Sequence, residues 1–217
     1  MTRSDPSSLQ KSVRRGTAKR RPGKATATRL IEAAFELLES ENLDRFSMRS
    51  VAQRAGVSLA NLQYYFPTRT DLAKALYFHI EARYRTAYEQ CTAAAPAIPI
   101  ERLKAVLRFN MQDITTRPTR RFFIQFWALL GSMDDFSGRY LGELYAIDIE
   151  QLSEHIRPLQ PDAPPAEIAR RATLIAAVTE GLTVVMGNVR PADPNSEAQL
   201  EAAFELMVNI ATGDAMA

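Results

Sequence analysis

Residues 47–72 read SMRSVAQRAGVSLANLQYYFPTRTDL, and this stretch decides the fold. Ser47 is a good N-cap, and Met48, Val51, Ala52 and Ala55 follow at helical spacing until Gly56, where a positive φ costs little. Ser58 then caps a second short run, Leu59 to Phe66, which Pro67 ends because a residue before proline avoids helical geometry. Thr68-x-x-Asp71 has capping-box spacing, with Asp in place of Glu, and opens a long helix reaching about Gln90. Two short helices joined by a tight glycine turn, with the small Ala52 at their crossing, predict a helix-turn-helix. In that arrangement the first helix crosses the DNA backbone and the second lays its N-terminal residues along base edges in the major groove.

Helical patterning extends in both directions. Upstream, from Lys24, the residues Leu30, Ile31, Ala34, Phe35 and Leu38 fall on one face of a helix expected to stop near Glu41 and Asn42, where Asn can take a left-handed conformation. Val57, Leu62 and Phe66 are expected to pack inward. Downstream, helical stretches read at about 100–116, 119–132, 136–156, 166–189 and 196–211, divided by proline- and glycine-bearing segments. No period-two strand is readable. The fold class is therefore all-α with about nine helices: an N-terminal three-helix helix-turn-helix domain followed by a C-terminal helical domain. Residues 1–23 read as an arm, 24–70 as the helix-turn-helix domain and 71–217 as the C-terminal domain, so the boundary falls on the long helix ahead of Pro96 and Pro99.

Charge is distributed unevenly along the 217 residues. Residues 1–30 hold nine of the 27 basic side chains and one of the 25 acids, Asp5, so they carry +8 while the remainder carries −6. A cationic arm ahead of an acidic body is the footprint of a chain that meets a polyanion at one end. The arm lacks apolar periodicity and is expected to be disordered, and its Arg- and Ser-rich composition leaves a solubilising tail or a transit peptide as other readings. Cys91 is the only cysteine, which excludes an intrachain disulfide, and with two histidines it leaves too few soft ligands for a structural zinc site. No apolar run approaches the roughly 18–20 residues of a membrane span. A cytoplasmic protein with neither metal nor cofactor is the expectation.

The run from Ser47 to Leu72 resembles the TetR family of transcriptional regulators, and the likeness extends over about Lys24 to Leu76. The resemblance implies a regulator, most often a repressor, that binds double-stranded operator DNA as a homodimer and answers to a small-molecule effector in its C-terminal domain. It places Arg49 where some members read a guanine edge, and aligns Leu59, Ala60, Asn61, Gln63 and Tyr64 with the base-facing side of the recognition helix. Leu59 departs from the polar or basic residue often found there, which suits a thymine methyl. Tyr65 and Arg69 match phosphate-contacting positions, and Ser58 and Thr68 begin helices at the same surface. The alternatives are a solvated surface charge for Arg49, cover for the small core for Tyr64 and Tyr65, and service to its own helix's first turn for Asn61.

The C-terminal half concentrates Phe109, Phe123, Phe126, Trp127, Met133, Tyr140 and Tyr145, with Glu180, Asp113, Gln125, Asp134 and Asp135 as nearby polar candidates. Such residues form a core or line a ligand cavity, and composition leaves both open. The segment Gln125-Phe-Trp-Ala and the later Thr179-Glu-Gly-Leu are similar to choline-sensing BetI-type members, which implies a cationic or hydrophobic effector among these aromatics.

Helix 166–189 is apolar on two sides, with Ile168, Ala172, Ile175, Leu182 and Met186 on one and Leu174, Val178, Val185 and Val189 on another. Leu200, Phe204, Met207, Val208 and Ala211 give the last helix one broad stripe. Leu174, Val178, Val185, Leu200, Phe204, Met207 and Val208 are therefore the candidate dimer face, with a monomeric buried helix as the alternative. An enzyme has little support: His79 and His155 read as isolated surface histidines, and no phosphate-cradling loop or nucleophile arrangement is present. A DNA-binding protein without an effector is the second functional reading.

Overall fold

The first helix, α1 (Arg21–Ser40), buries Leu30, Ala33, Ala34, Leu37 and Leu38, an i, i+3, i+4, i+7, i+8 stripe, and leaves its charged back outside. The computed structural model describes residues 21–133, 139–186 and 194–213. After a short 3₁₀ turn (Leu43–Arg45) come α2 (Met48–Arg54), α3 (Leu59–Tyr65) and α4 (Arg69–Ala94). The C-terminal half supplies α5 (Pro99–Ile114), α6 (Arg117–Gly131), α7 (Arg139–Ile156), α8 (Pro165–Val185) and α9 (Pro194–Thr212). Among the described residues there are nine α-helices and no strand, so the all-α expectation holds, and helix bounds fall within five residues of those read from the pattern. Residues 1–20 of the arm, Asp134, Asp135 and Val189 lie outside the described residues, whereas residues 21–23, expected to be the disordered end of the arm, form the first turn of α1.

The chain forms two compact units. One runs through Ala82 and includes Gln125–Glu143; the other comprises Arg83–Ile124 and the chain from Leu144 onward. Three helices, α4, α6 and α7, thus run from one unit into the other. In the first unit the α1 stripe is buried together with Phe46, Val51, Leu62, Phe66, Leu72 and Leu76, and α6 adds Phe126, Leu129 and Leu130.

The core of the second unit joins Leu103, Leu107 and Met111 of α5 with Leu152 and Ile156 of α7, Ile168, Ala172 and Ile175 of α8, and Phe204, Met207 and Val208 of α9. The broad stripe of α9 is thereby spent inside its own chain. That corrects the assignment of Phe204, Met207 and Val208 to a dimer face: a helix with a single apolar stripe turns it to the nearest core, and these three are buried there. Gly213 ends α9 with φ +95°, and Arg171 donates from Nη1 to the carbonyl of Ile210 at 2.6 Å while Gln160 donates to that of Thr212.

Candidate nucleic-acid interface

Each cap in the quoted stretch forms as its chemistry requires. Ser47 Oγ accepts from the Ser50 backbone N–H at 3.1 Å and Ser50 Oγ accepts from that of Ser47 at 2.9 Å, a reciprocal box in which Ser replaces the usual Glu. At the far end of α2, Gly56 takes φ +66° and donates to Gln53 O at 3.1 Å, while Val57 N–H reaches Ala52 O at 3.0 Å. These are the two bonds of a Schellman turn, and they satisfy carbonyls the helix leaves open. Ser58 Oγ then accepts from Asn61 N–H at 3.1 Å to start α3. Thr68 and Asp71 complete the third cap, Thr68 N–H to Asp71 Oδ2 at 3.1 Å and Asp71 N–H to Thr68 Oγ1 at 3.0 Å.

The result is a helix with a clean division of faces. Leu62 and Phe66 are buried and Val57 is half-buried, whereas Ala60, Asn61, Gln63 and Tyr64 are exposed, Tyr64 at 72%. Leu59 and Tyr65 sit half-buried at the margins, and the Tyr65 ring meets Tyr64 edge-on at 5.3 Å. Arg49 is exposed on α2 and Thr68 is exposed at the start of α4. Arg69 is half-buried with its guanidinium 5.7 Å from the centroid of the buried Phe46 ring, a cation–π contact that orients the fork.

Ser40, Glu41 and Gln125, all outside the quoted stretch, hold this helix-turn-helix in place. Arg54, the last residue of α2, pairs with Glu41 at 2.5 Å and bonds Ser40 Oγ at 3.4 Å, which fastens the helix-turn-helix to the end of α1. Asn42 has φ −79°, so the expected left-handed ending does not form. The open carbonyls there, Leu38 O and Glu41 O, instead accept from Gln125 Nε2 of α6 at 2.6 and 2.7 Å. Gln125 therefore caps the end of α1. Only chain return over more than 80 residues brings it there, so no local signal in the sequence points to it.

A second polar and aromatic cluster lies wholly within the second unit. Tyr84 of α4 donates to Asp113 Oδ2 of α5, Thr119 Oγ1 donates to Asp113 Oδ1 at 3.1 Å, and Tyr88 donates to Asn110 Oδ1 at 2.8 Å. Phe109 and Phe123 stand edge-on to Tyr84 at 5.9 and 6.0 Å. Burial pushes both tyrosine phenols up, and the Asp113 carboxylate adds to this at Tyr84. On the facing helices, Tyr145 donates to Glu180 Oε1 at 3.1 Å. Burial raises the Glu180 carboxyl to about 7; the Tyr145 bond opposes the shift and the charge of Asp148 adds to it. His155 is half-buried with its ring 6.2 Å from Tyr88, and burial lowers its pKa, so it is not the isolated surface group expected; His79 is half-buried too.

The description of bacterial regulatory proteins of the tetR family fits residues 30–76, and that of the BetI-type transcriptional repressor C-terminal region fits residues 99–209. The chain belongs to the TetR family. It is a BetI-like helix-turn-helix transcriptional regulator. It is 28% identical to the HTH-type transcriptional regulator BetI of Burkholderia thailandensis, over 70% of this chain and 77% of that one. It is 29% identical to an HTH-type transcriptional regulator in the dhlA 5′ region of Xanthobacter autotrophicus, over 74% and 79%. Two solved structures share the fold: a TetR regulator from Rhodococcus sp. RHA1 (TM-score 0.60, 22% identity, 85% and 96% covered), and a protein described in work on control of antibiotic production by bacterial hormones (0.65, 20%, 84% and 95%).

In this TetR-family chain the aromatic candidates divide between the units. Phe109, Phe123, Tyr145 and Glu180 join the second-unit cluster, whereas Phe126 and Met133 are buried in the first unit, with Thr70 Oγ1 donating to Met133 Sδ at 3.8 Å. Trp127 is half-buried in the first unit, and the side chain of Tyr140 lies outside the described residues. Tyr84, Tyr88, Asn110 and Asp148 were not among the sequence candidates. The i, i+4 spacing of Tyr84 and Tyr88 was the available signal, since it sets both rings on one helix face. Of the dimer candidates, Leu174 (42%) and Val185 (80%) are exposed, and Val178 and Leu200 pack partly on the core. Val184 and Leu206, exposed alongside them, had not been singled out. Among the described residues no helix is long and apolar enough to cross a membrane.

Proposed function

We propose that the protein is a homodimeric repressor that binds a pseudo-palindromic operator and is released by a small-molecule effector. One observation carries the reading: α3 turns Ala60, Asn61, Gln63 and Tyr64 outward together, on a helix whose other face is locked by Leu62 and Phe66. With Leu59 beside them, these residues read base edges in the major groove, and Arg49 supplies a bidentate fork for guanine. Ser58, Tyr65, Thr68 and Arg69 flank that face and meet phosphates, as does the basic arm. The functional division is the one drawn at residues 24–70 and 71–217.

Dimerisation uses the outer faces of α8 and α9, where Leu174, Val184, Val185 and Leu206 are exposed on neighbouring helices. A twofold pair of such faces is a four-helix bundle that spaces two reading heads about one helical turn, roughly 34–36 Å, apart. The effector occupies the second-unit cluster, and its class is cationic. Tyr84, Tyr88, Phe109, Phe123 and Tyr145 offer ring faces, and Glu180 offers a carboxylate whose bond among the described residues comes from Tyr145. A trimethylammonium head suits that chemistry.

The test is selection from a random duplex pool at about 0.15 M salt, where exposed charges are screened beyond about 8 Å. An enriched inverted repeat is expected, and binding that vanishes with salt without enrichment would remove the specific-operator reading. Titration of the selected duplex complex with trimethylammonium compounds, against their uncharged tert-butyl isosteres, then tests the effector. Release by the cation alone is expected. Equal release by both makes the effector hydrophobic, and release by neither favours a DNA-binding protein without a cationic effector.

A further inference from the structure

The aromatic cluster of the second unit carries a carboxylate on each of two helices. Asp113 of α5 accepts from the hydroxyls of Tyr84 and Thr119, and Glu180 of α8 accepts from that of Tyr145. Among the described residues the hydrogen bonds to both come from neutral groups, which orient a carboxylate without cancelling its charge. Tyr84 lies in the field of both, since Asp113 and Glu180 each raise its phenol. Asp148, exposed on α7 one turn beyond Tyr145, adds negative charge near Glu180. His155, edge-on to Tyr88, is pushed toward its neutral form by burial and adds little positive charge in return.

The rings here are enclosed without being sealed. Tyr84, Tyr88, Phe109, Phe123 and Tyr145 are half-buried, whereas Leu103 and Leu107 of the same unit's core are fully buried. Burial nonetheless raises the phenols of Tyr84 and Tyr88. Rings surrounded by protein that still keep accessible faces line a recess and do not fill a core.

We infer that the effector is a dication, with one cationic head at Glu180, the other at Asp113 and an apolar stem along the rings. The inference rests on the cationic-effector reading above and adds a second pole to it. A monocation leaves one enclosed carboxylate without a counter-charge or obliges it to take a proton, a cost that a second head removes. Because that head is tethered to the first, it binds without a further translational loss. Ring faces suit both parts of such a molecule, the heads by cation–π attraction and the stem by apolar contact. Carboxylates fixed on two helices also select one stem length.

The experiment is isothermal titration calorimetry of the full-length protein without DNA. The probes are α,ω-diaminoalkanes and α,ω-bis(trimethylammonium)alkanes of increasing stem length, each beside the monocation of the same length. In at least one series the dication should bind about tenfold tighter than its monocation or better, with a maximum at one stem length. Asp113→Asn should weaken the dication at least about fivefold more than the monocation, and Glu180→Gln should weaken both, in variants shown to be folded by circular dichroism. Equal affinity of dication and monocation in the wild type, a preference with no optimum in stem length, or an equal loss of both on Asp113→Asn would each overturn the inference. Monocation binding without a dication preference removes only the second pole. No binding by any of these cations would overturn the cationic-effector reading, and this inference with it.

Discussion

At the residue scale the two arginines proposed to meet DNA have different proposed roles and different expected losses. Arg49 is exposed, and Arg49→Ala should relax base preference at one position of each half-site by about 1–3 kcal/mol, measured by competition among single-substitution duplexes. Unchanged preference would take Arg49 out of the reading set. Arg69, oriented over Phe46, should act through phosphate: Arg69→Ala weakens all duplexes alike and makes the salt dependence shallower by about one unit. Glu180 gives a pH dependence with a definite sign. Its folded pKa of about 7 lies above the usual 4.5, so between these values the folded chain binds more protons than the unfolded one. Stability therefore falls as pH rises through that window, by on the order of 3 kcal/mol. Glu180→Gln should flatten the slope between pH 5 and about 7.5, seen in denaturant unfolding; a slope left intact would place the titrating group elsewhere. A cationic effector needs the deprotonated carboxylate, so its binding should strengthen as pH rises through about 7.

At the element scale, much of the local structure was legible because caps act over three or four residues. Ser47, Ser58, Thr68 and Gly56 each form the bond their residue type and position demand. Gly56 permits a sharp check. A Cβ placed there meets nothing within 4 Å, so the cost of a substitution is conformational alone. Gly56→Ala should cost about 1 kcal/mol, and Gly56→Asn less, because Asn tolerates φ > 0 better. Equal losses would mean that the turn is strained by something other than φ. Where an element end lacked such a local device, the pattern located the end but not its cap. The end of α1 has no glycine, Asn42 stayed extended, and its carbonyls are satisfied by Gln125 across a gap of more than 80 residues.

At the scale of the whole molecule, periodicity identified the apolar faces but not what covers each one. The α8 pattern showed two faces, and Ile168, Ala172 and Ile175 do fill the core while Leu174 and Val185 face outward. The α9 pattern showed one face, which the chain itself consumes. These differ in mutational consequence. Leu174→Asp with Val185→Asp should yield a folded monomer with little change in unfolding free energy per chain and much weaker operator binding, measured by analytical ultracentrifugation and anisotropy. Phe204→Ala should instead cost about 3–5 kcal/mol of stability, as expected of a buried aromatic. A dimer that survives the double aspartate variant would place the interface on another surface.

The sequence by itself determined the helical class, the helix-turn-helix and its caps, the outward set on α3 and the charge asymmetry of the arm, because each depends on side chains a few residues apart or on a simple sum of charges. Only the tertiary structure decided that Gln125 caps α1, that Arg69 lies over Phe46, that Phe126 and Met133 belong to a different unit from Phe109 and Glu180, and that Phe204 is core. The physical reason is range. A cap or an amphipathic stripe is set by backbone geometry within one helix, whereas the partner of a buried ring or an open carbonyl is set by where distant helices come to rest.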